Sequence, residues 1–286
     1  MKLSTAMEIQ IEMYGEKAFE YLKNIGFDAV DYNMPFYDAD KPNPEIYNTN
    51  IQEFEKYFLN VKKLSKEADI EIFQTHAPYH VYNADKKLFE CRIEEIKYAI
   101  RATAVLGAKY TVVHPAQPCF FDPDKNPGFT KELNYSLFEK LIPTAEEYGV
   151  LLALENMPGQ GVPTSTPEML IDYIDMMGSD AVVACLDTGH AHLAGENIAN
   201  FARRLGNRLK VLHLADNCGR MDEHYIPYVG TIGIWDEFMK TLKEVGYDGS
   251  LNLEAGTYVR ELPEELRDDA VKISLGVLKN LSKLMK

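Results

Sequence analysis

Along almost the whole chain, an amphipathic stretch ends at a glycine and a short apolar run rich in β-formers follows at once. The pattern appears at Gly26 (LKNIGFDAVDYN), Gly107 (AVLGAKYTVVH), Gly149 (AEEYGVLLALE), Gly178 (MMGSDAVVACLD), Gly206 (RRLGNRLKVLHL) and Gly246 (KEVGYDGSLNLE). A helix commonly stops on a left-handed residue just past its end, where glycine carries no Cβ penalty. The continuous apolar run that follows suits a parallel strand buried on both faces. A seventh junction, EADIEIFQTH, keeps the order without the glycine. Phe89, Ile93, Ile96 and Ile100 recur at helical spacing, as do Trp235, Phe238, Met239 and Leu242. Thr166 before Pro167 reads as an N-cap with proline at the first helical position. Eight strands are expected, near Leu3, Val30, Phe73, Val112, Leu152, Val183, Leu212 and Leu251, each followed by a helix. Strictly alternating βα units in that number predict an α/β fold, a closed (β/α)8 TIM barrel. An open doubly wound sheet is the alternative, but no Gly-x-Gly-x-x-Gly follows the first strand. No linker or composition break divides the chain, so residues 1–286 are expected to form one domain.

Three connections after strands are longer than a tight turn needs: 35–49, 115–129 and 217–234. In a barrel all three lie on the C-terminal face, where active sites are built. Their aromatic residues either rim a ligand or pack the loops down.

The end of each later strand carries an ionisable residue. His76 (QTHAPYH), His114 (VVHPA), Glu155 (LENMPGQG), Asp187 (CLDTGHAH), His213 (VLHLADN) and Glu254 (LNLEAG) stand at the ends of strands three to eight. An apolar strand has no structural need for such an end, and ionisable groups are seldom buried unpaired. Barrel geometry brings these positions to one rim, and a mixed carboxylate and imidazole shell suits a divalent cation. Glu155, Asp187, His213 and Glu254 come from four adjacent strands and form the expected metal site. His190, three residues past Asp187, reaches the same cleft as a ligand or as a contact to a substrate hydroxyl. Asp222 and His224 lie in the loop after strand seven and are additional candidate ligands, with His76, His114 and His190. His80 and His192 are expected to be bystanders.

Charge and composition narrow the partners. Acidic residues number 44 against 30 basic ones, a net charge of −14, which opposes nucleic acid or anionic lipid unless a bound metal or basic patch reverses it locally. The start of the chain has no long apolar core, so no signal peptide is expected, and no run of eighteen apolar residues is present. Four scattered cysteines, Cys91, Cys119, Cys185 and Cys218, fit reduced thiols in a cytoplasmic protein.

The segments LENMPGQG, CLDTGHAHLAG, HLADNCGRMDEHYIPYVGTIGIWDEF and GYDGSLNLEAG resemble the xylose isomerase-like TIM-barrel superfamily, which holds sugar phosphate isomerases and epimerases together with endonuclease IV. The resemblance runs from the second strand to the eighth. It implies one divalent ion (Mn, Co, Mg or Zn) on Glu155, Asp187, His213 and Glu254, with Glu155 and Glu254 as the proton-transferring pair. It also implies that His190 contacts substrate and takes part in catalysis. His76, His114, Arg220 and Trp235 are then expected at a small sugar substrate, with an enediolate as the intermediate. The family's substrate arginine falls at Gly219, so the role passes to its neighbour Arg220. In the endonuclease IV branch, nine ligands hold three zinc ions. Here the matching positions are His76, His114, Glu155, Asp187, His190, His213, Asp222, His224 and Glu254. The rim offers few cations for a duplex, namely Lys41, Lys86, Lys87, Lys125, Arg220 and Arg260. The expectation is therefore a metal-dependent sugar isomerase or epimerase. A three-zinc phosphodiesterase, a lyase or dehydratase using the same enolate chemistry, and a non-catalytic binding barrel are the alternatives. Members of the group often form dimers or tetramers, which implies a homo-oligomer, although the sequence carries no interface signature.

Overall fold

The computed structural model describes residues 1–35, 47, 50–79, 81–118 and 127–285. Most of the first two long connections therefore lies outside the described residues, and so do Lys41, His80, Cys119 and Lys125.

Eight parallel strands form one sheet: β1 (Leu3–Ala6), β2 (Ala29–Asn33), β3 (Glu71–His76), β4 (Tyr110–Val113), β5 (Leu151–Glu155), β6 (Val182–Asp187), β7 (Leu209–His213) and β8 (Leu251–Leu253). Each pairs with its sequence neighbour, and β8 pairs with β1. Closure between β7 and β8 is short. The Leu214 N–H donates to the Asn252 carbonyl at 2.8 Å, and the Glu254 N–H to the Leu214 carbonyl at 3.1 Å. The architecture is a single-domain TIM barrel.

The helices are α1 (Glu8–Tyr14), α2 (Ala18–Ile25), α3 (Ile51–Glu67), α4 (Lys86–Leu106), α5 (Pro127–Tyr148), α6 (Pro167–Met177), α7 (Thr188–Leu193), α8 (Ile198–Leu205), α9 (Trp235–Glu244), α10 (Gly256–Arg260) and α11 (Glu264–Lys283). One helix per strand was expected, but three connections carry two. After β1, β6 and β8 a short helix (α1, α7, α10) stands at the strand end before the longer one packs on the barrel wall. These extra turns form part of the rim, and they are too short for periodicity to reveal.

The six junction glycines all have positive φ, as at Gly107 (φ 88°), which ends α4. At the junction without a glycine, Asp69 takes the same left-handed role with φ 53°; aspartate visits that region more readily than most residues. The α4 face of Phe89, Ile93, Ile96 and Ile100 is buried, and so is the α9 face of Trp235, Phe238, Met239 and Leu242. The Thr166 side chain caps α6 by accepting the Met169 N–H at 3.2 Å. Inside the barrel, Val112, Ala153, Val183, Cys185 and Val211 form a separate apolar layer below the rim. This packed floor leaves the strand ends as the place where polar groups gather. Among the described residues no helix is long and apolar enough to cross a membrane.

Candidate metal centre

The strand ends deliver their ionisable residues to one point. His76, Glu155, Asp187 and His213 are the last residues of β3, β5, β6 and β7, and His114 and Glu254 follow β4 and β8 directly. Glu155, Asp187, His213 and Glu254 each bring one ligand atom into a group whose members lie within 4.8 Å of one another. Four further groups meet the same limit: His76 with His114 and Glu155, His190 with Asp222 and His224, His76 with His213 and Glu254, and Glu155 with Cys185 and His213. The first two of these and the four-ligand group take in all nine candidate ligands, as three adjoining clusters.

Local structure sets each side chain. Asp187 is the N-cap of α7, and its Oδ1 accepts the His190 N–H at 2.6 Å. The Asn156 amide braces the same turn, donating to the Asp187 carbonyl and accepting the Asp187 N–H. Three imidazoles are anchored to main-chain carbonyls through Nδ1, and His190 and His224 also meet Asp222 Oδ2 through Nε2, each at 3.0 Å. His76 donates Nδ1–H to the Ala77 carbonyl (2.7 Å), His190 to the Asn156 carbonyl (2.8 Å) and His224 to the Glu254 carbonyl (3.1 Å). Since a carbonyl can only accept, these rings present Nε2 to the site. His213 is reversed. Its Nε2 donates to Asp31 Oδ2 at 3.1 Å, while Nδ1 sits 3.0 Å from Glu155 Oε1 and 2.8 Å from Glu254 Oε2.

Three carboxylates here retain an oxygen without a hydrogen bond. Asp187 Oδ2, Glu155 Oε2 and Glu254 Oε2 are buried and unsatisfied among the described residues. The latter two approach His114 Nε2 (2.9 Å) and His213 Nδ1, without hydrogen-bond geometry. Buried acceptors are rarely left unpaired, and three converging on one point beside an imidazole fit a divalent cation.

The electrostatics agree. Burial disfavours the Glu155 carboxylate, but His213 and His114 outweigh it and hold its carboxyl well below the usual range. Glu254 falls to about 2, where the pull of His213 and His224 overcomes burial. Asp187 goes the other way, to about 7, because burial and the charges of Glu254 and Glu155 exceed the help from His190. His224 rises to about 10, against burial, through Glu254 and Asp222. Asp187 thus keeps its proton among ionised carboxylates for lack of positive charge, a deficit that a cation relieves.

Above this centre lies a cavity of about 460 Å3, within the range of small-molecule sites. His76, His114, His190, Asp222, His224 and Glu254 line its floor, and Asn33, Gln117 and Thr257 add neutral polar groups. Ile9, Tyr79, Val81, Tyr82 and Met157 supply apolar walls. Among the described lining residues Arg260 alone is a lysine or arginine, and it is paired with Glu8 and Glu12 of α1.

Two expected substrate contacts sit elsewhere. Trp235 has no exposed surface and does not line the cavity; its Nε1–H donates to Asp216 Oδ2 at 3.1 Å, because its helix face packs into the core. Arg220 is exposed on the loop after β7 and also lies outside the cavity lining. His192 bonds Thr231 Oγ1 at 2.9 Å and steadies that loop.

Three residues escaped the reading of the sequence. Asn156 and Asp31 orient ligands as described, and Asp216 anchors the loop that carries Asp222 and His224. Its carboxylate accepts the N–H groups of Asn217, Tyr228 and Ile232 besides the Trp235 indole. An acidic residue on the inward side of a strand, or three residues past a strand-end histidine, was the available signal.

Comparison with known proteins matches this arrangement. Residues 19–281 match the family described as xylose isomerase-like TIM barrel. A probable endonuclease 4 of Mesomycoplasma hyopneumoniae is 28% identical over 244 residues, covering 80% of this chain and 81% of the relative. An inosose isomerase of Bacillus velezensis is 28% identical over 198 residues, covering 64% and 69%. Among solved structures, a D-tagatose 3-epimerase-like protein superposes with a TM-score of 0.77 at 25% identity, covering 100% of this chain and 98% of its own. By fold, strand-end chemistry and sequence, the chain belongs to the xylose isomerase-like TIM barrel family.

Proposed function

We propose that the protein is a divalent-metal-dependent isomerase or epimerase acting on a sugar or related polyol. The observation that carries this reading is the meeting of Glu155 and Glu254, from strands three places apart, in one four-ligand group beneath the cavity. The inosose isomerase and the epimerase-like structure among its relatives support the same class.

A divalent cation held by Glu155, Asp187, His213 and Glu254 would supply the positive charge that polarises a substrate carbonyl. One glutamate removes the proton from the carbon beside that carbonyl, and the other returns a proton. Delivery to the opposite face gives an epimer, and delivery to the neighbouring carbon gives an isomer. His190, locked through Nδ1, holds Nε2 3.0 Å from Asp222 Oδ2 on the cavity floor, where this pair would meet a substrate hydroxyl. Ile9, Val81, Met157 and the tyrosines exclude water from the reacting carbons. Neutral Asn33, Gln117 and Thr257 suit hydroxyl groups.

The test is incubation with a panel of sugars and keto-polyols in deuterated water, followed by mass spectrometry. Solvent deuterium in recovered substrate and product supports the proposal, and its loss in Glu254→Gln assigns that residue. Loss of water or another leaving group points instead to a lyase. No exchange with any substrate overturns the reading.

A second reading rests on a separate observation. All nine residues of the three clusters are in place, and three imidazoles present Nε2 inward. That set fits three zinc ions and phosphodiester hydrolysis, as the endonuclease 4 relative suggests. Cleavage of abasic-site DNA by the zinc-loaded protein would establish it.

A further inference from the structure

The reversed ring of His213 has a partner deeper in the barrel. Asp31 lies in the middle of β2, is 1% exposed, and makes its one ion pair among the described residues with His213. Its Oδ2 accepts from three side chains: Gln74 Nε2 at 2.8 Å, His213 Nε2 at 3.1 Å and Asn252 Nδ2 at 3.4 Å. Asn252 is itself braced, since its Oδ1 accepts the Ser4 hydroxyl at 3.0 Å and Ser4 meets Ser250 at the same distance. Residues of β1, β2 and β3, with Asn252 of β8, thus hold one carboxylate against one imidazole. A carboxylate buried this deeply without lysine or arginine is costly, and an amide of the same shape would meet both amide donors equally well.

What the charge adds concerns the ring. His76, His190 and His224 reach main-chain carbonyls through Nδ1, the nitrogen nearer their own backbone. His213 turns that nitrogen toward Glu155 and Glu254, so its far nitrogen needs an acceptor inside the barrel. We propose that Asp31 is a positioning residue of the metal centre, fixing His213 as the Nε2–H tautomer and presenting Nδ1 as the ligand atom. A carboxylate behind a ligating histidine sets both its orientation and its donor strength. The inference rests on the metal-binding reading above.

The experiment pairs cobalt(II) titration with 15N NMR of the imidazole rings, using full-length protein stripped by chelator and then reloaded. His213 is assigned by its loss in His213→Gln. Asp31→Asn keeps size and an acceptor but removes the charge. Expected are an Nε2-protonated His213 in the loaded wild type, and cobalt affinity in Asp31→Asn weaker by roughly ten- to a hundredfold. The Tm of the metal-free variant should stay near wild type, which a merely structural role would not allow. Wild-type protein that takes up no cobalt overturns the metal reading itself. Wild-type uptake with unchanged affinity in Asp31→Asn, or with Nδ1 carrying the proton, overturns the role of Asp31 alone. If Asp31→Asn does not fold, the wild-type ring shifts decide.

Discussion

The Asp187 carboxylate caps the helix that carries His190: Oδ1 accepts the His190 N–H at 2.6 Å, while Oδ2 has no hydrogen bond among the described residues. One oxygen thus builds the turn and the other is left for a ligand. Asp187→Asn should separate the two roles, because asparagine caps helices as well as aspartate does. Its metal-free Tm should be no lower than wild type, with cation affinity at least about tenfold weaker. Asp187→Ala should lose affinity and also ~1 kcal/mol of stability with the cap. Thermal melts and calorimetric titration of both variants check this. An asparagine variant as unstable as the alanine one would contradict it.

The same carboxyl makes cation binding depend on pH. Asp187 is pushed up to about 7 from an ordinary 3.8 by burial and by its acidic neighbours Glu254 and Glu155. A raised value means that the folded, cation-free chain holds this proton more tightly than the unfolded chain does. Its stabilising contribution is complete below pH 3.8 and is lost as pH rises through about 7. A cation displaces that proton, so binding at pH 6 should release about one more proton from wild type than from Asp187→Asn. Above pH 8 the difference should vanish. Titration in two buffers of different ionisation enthalpy measures the release directly.

Gly230 and Asp216 hold the loop that brings Asp222 and His224 to the rim. A Cβ at Gly230 would lie 2.2 Å from Asp216 Oδ1 and 2.4 Å from the Asn217 carbonyl, so neither side can yield cheaply. Gly230→Ala should cost ~1–3 kcal/mol of stability. It should also displace Asp222 and His224 while leaving Glu155, Asp187 and His213 in place. A crystal structure showing an unmoved loop would count against this account.

Trp235 offers a cleaner contrast. Its indole donates to the charged Asp216 and is sealed in the core, away from the cavity. Trp235→Phe should therefore lose ~2 kcal/mol in a denaturant melt. Once a substrate is known, its KM should hardly change. A raised KM with unchanged stability would return Trp235 to the substrate.

The strand ends were legible because each is an ionisable residue terminating an apolar run, a local signal that barrel closure turns into a shared site. Their partners were not. Asp31 looks like any polar residue within FDAVDYN until β2 is set beside β3 and β8, and Asp216 passes for a loop aspartate after VLHLA. α7 was hidden because TGHAHL is too short to show a period, so the capping role of Asp187 stayed out of sight. Trp235 shows the converse. Its helical spacing foretold burial correctly, whereas its motif placed it at the substrate. Both kinds of miss concern contacts between segments far apart in sequence, and only the closed sheet supplies them.

The number of ions separates the two functional readings most directly. Glu155, Asp187, His213 and Glu254 form a complete four-ligand group without His76 or His114; these two cluster with Glu155, and His76 also comes within the same limit of His213 and Glu254. Under the isomerase reading, protein purified without a chelating tag holds about one exchangeable ion per chain. The double variant His76→Gln with His114→Gln should keep that ion, because Gln lacks only the imidazole of a neighbouring cluster. Under the three-zinc reading, wild type holds about three ions and the variant loses at least one. Elemental analysis against protein concentration gives the count. We expect one ion, unchanged in the variant. A count near three that falls in the variant would shift the function to phosphodiester hydrolysis, with Glu155 as a ligand shared between clusters.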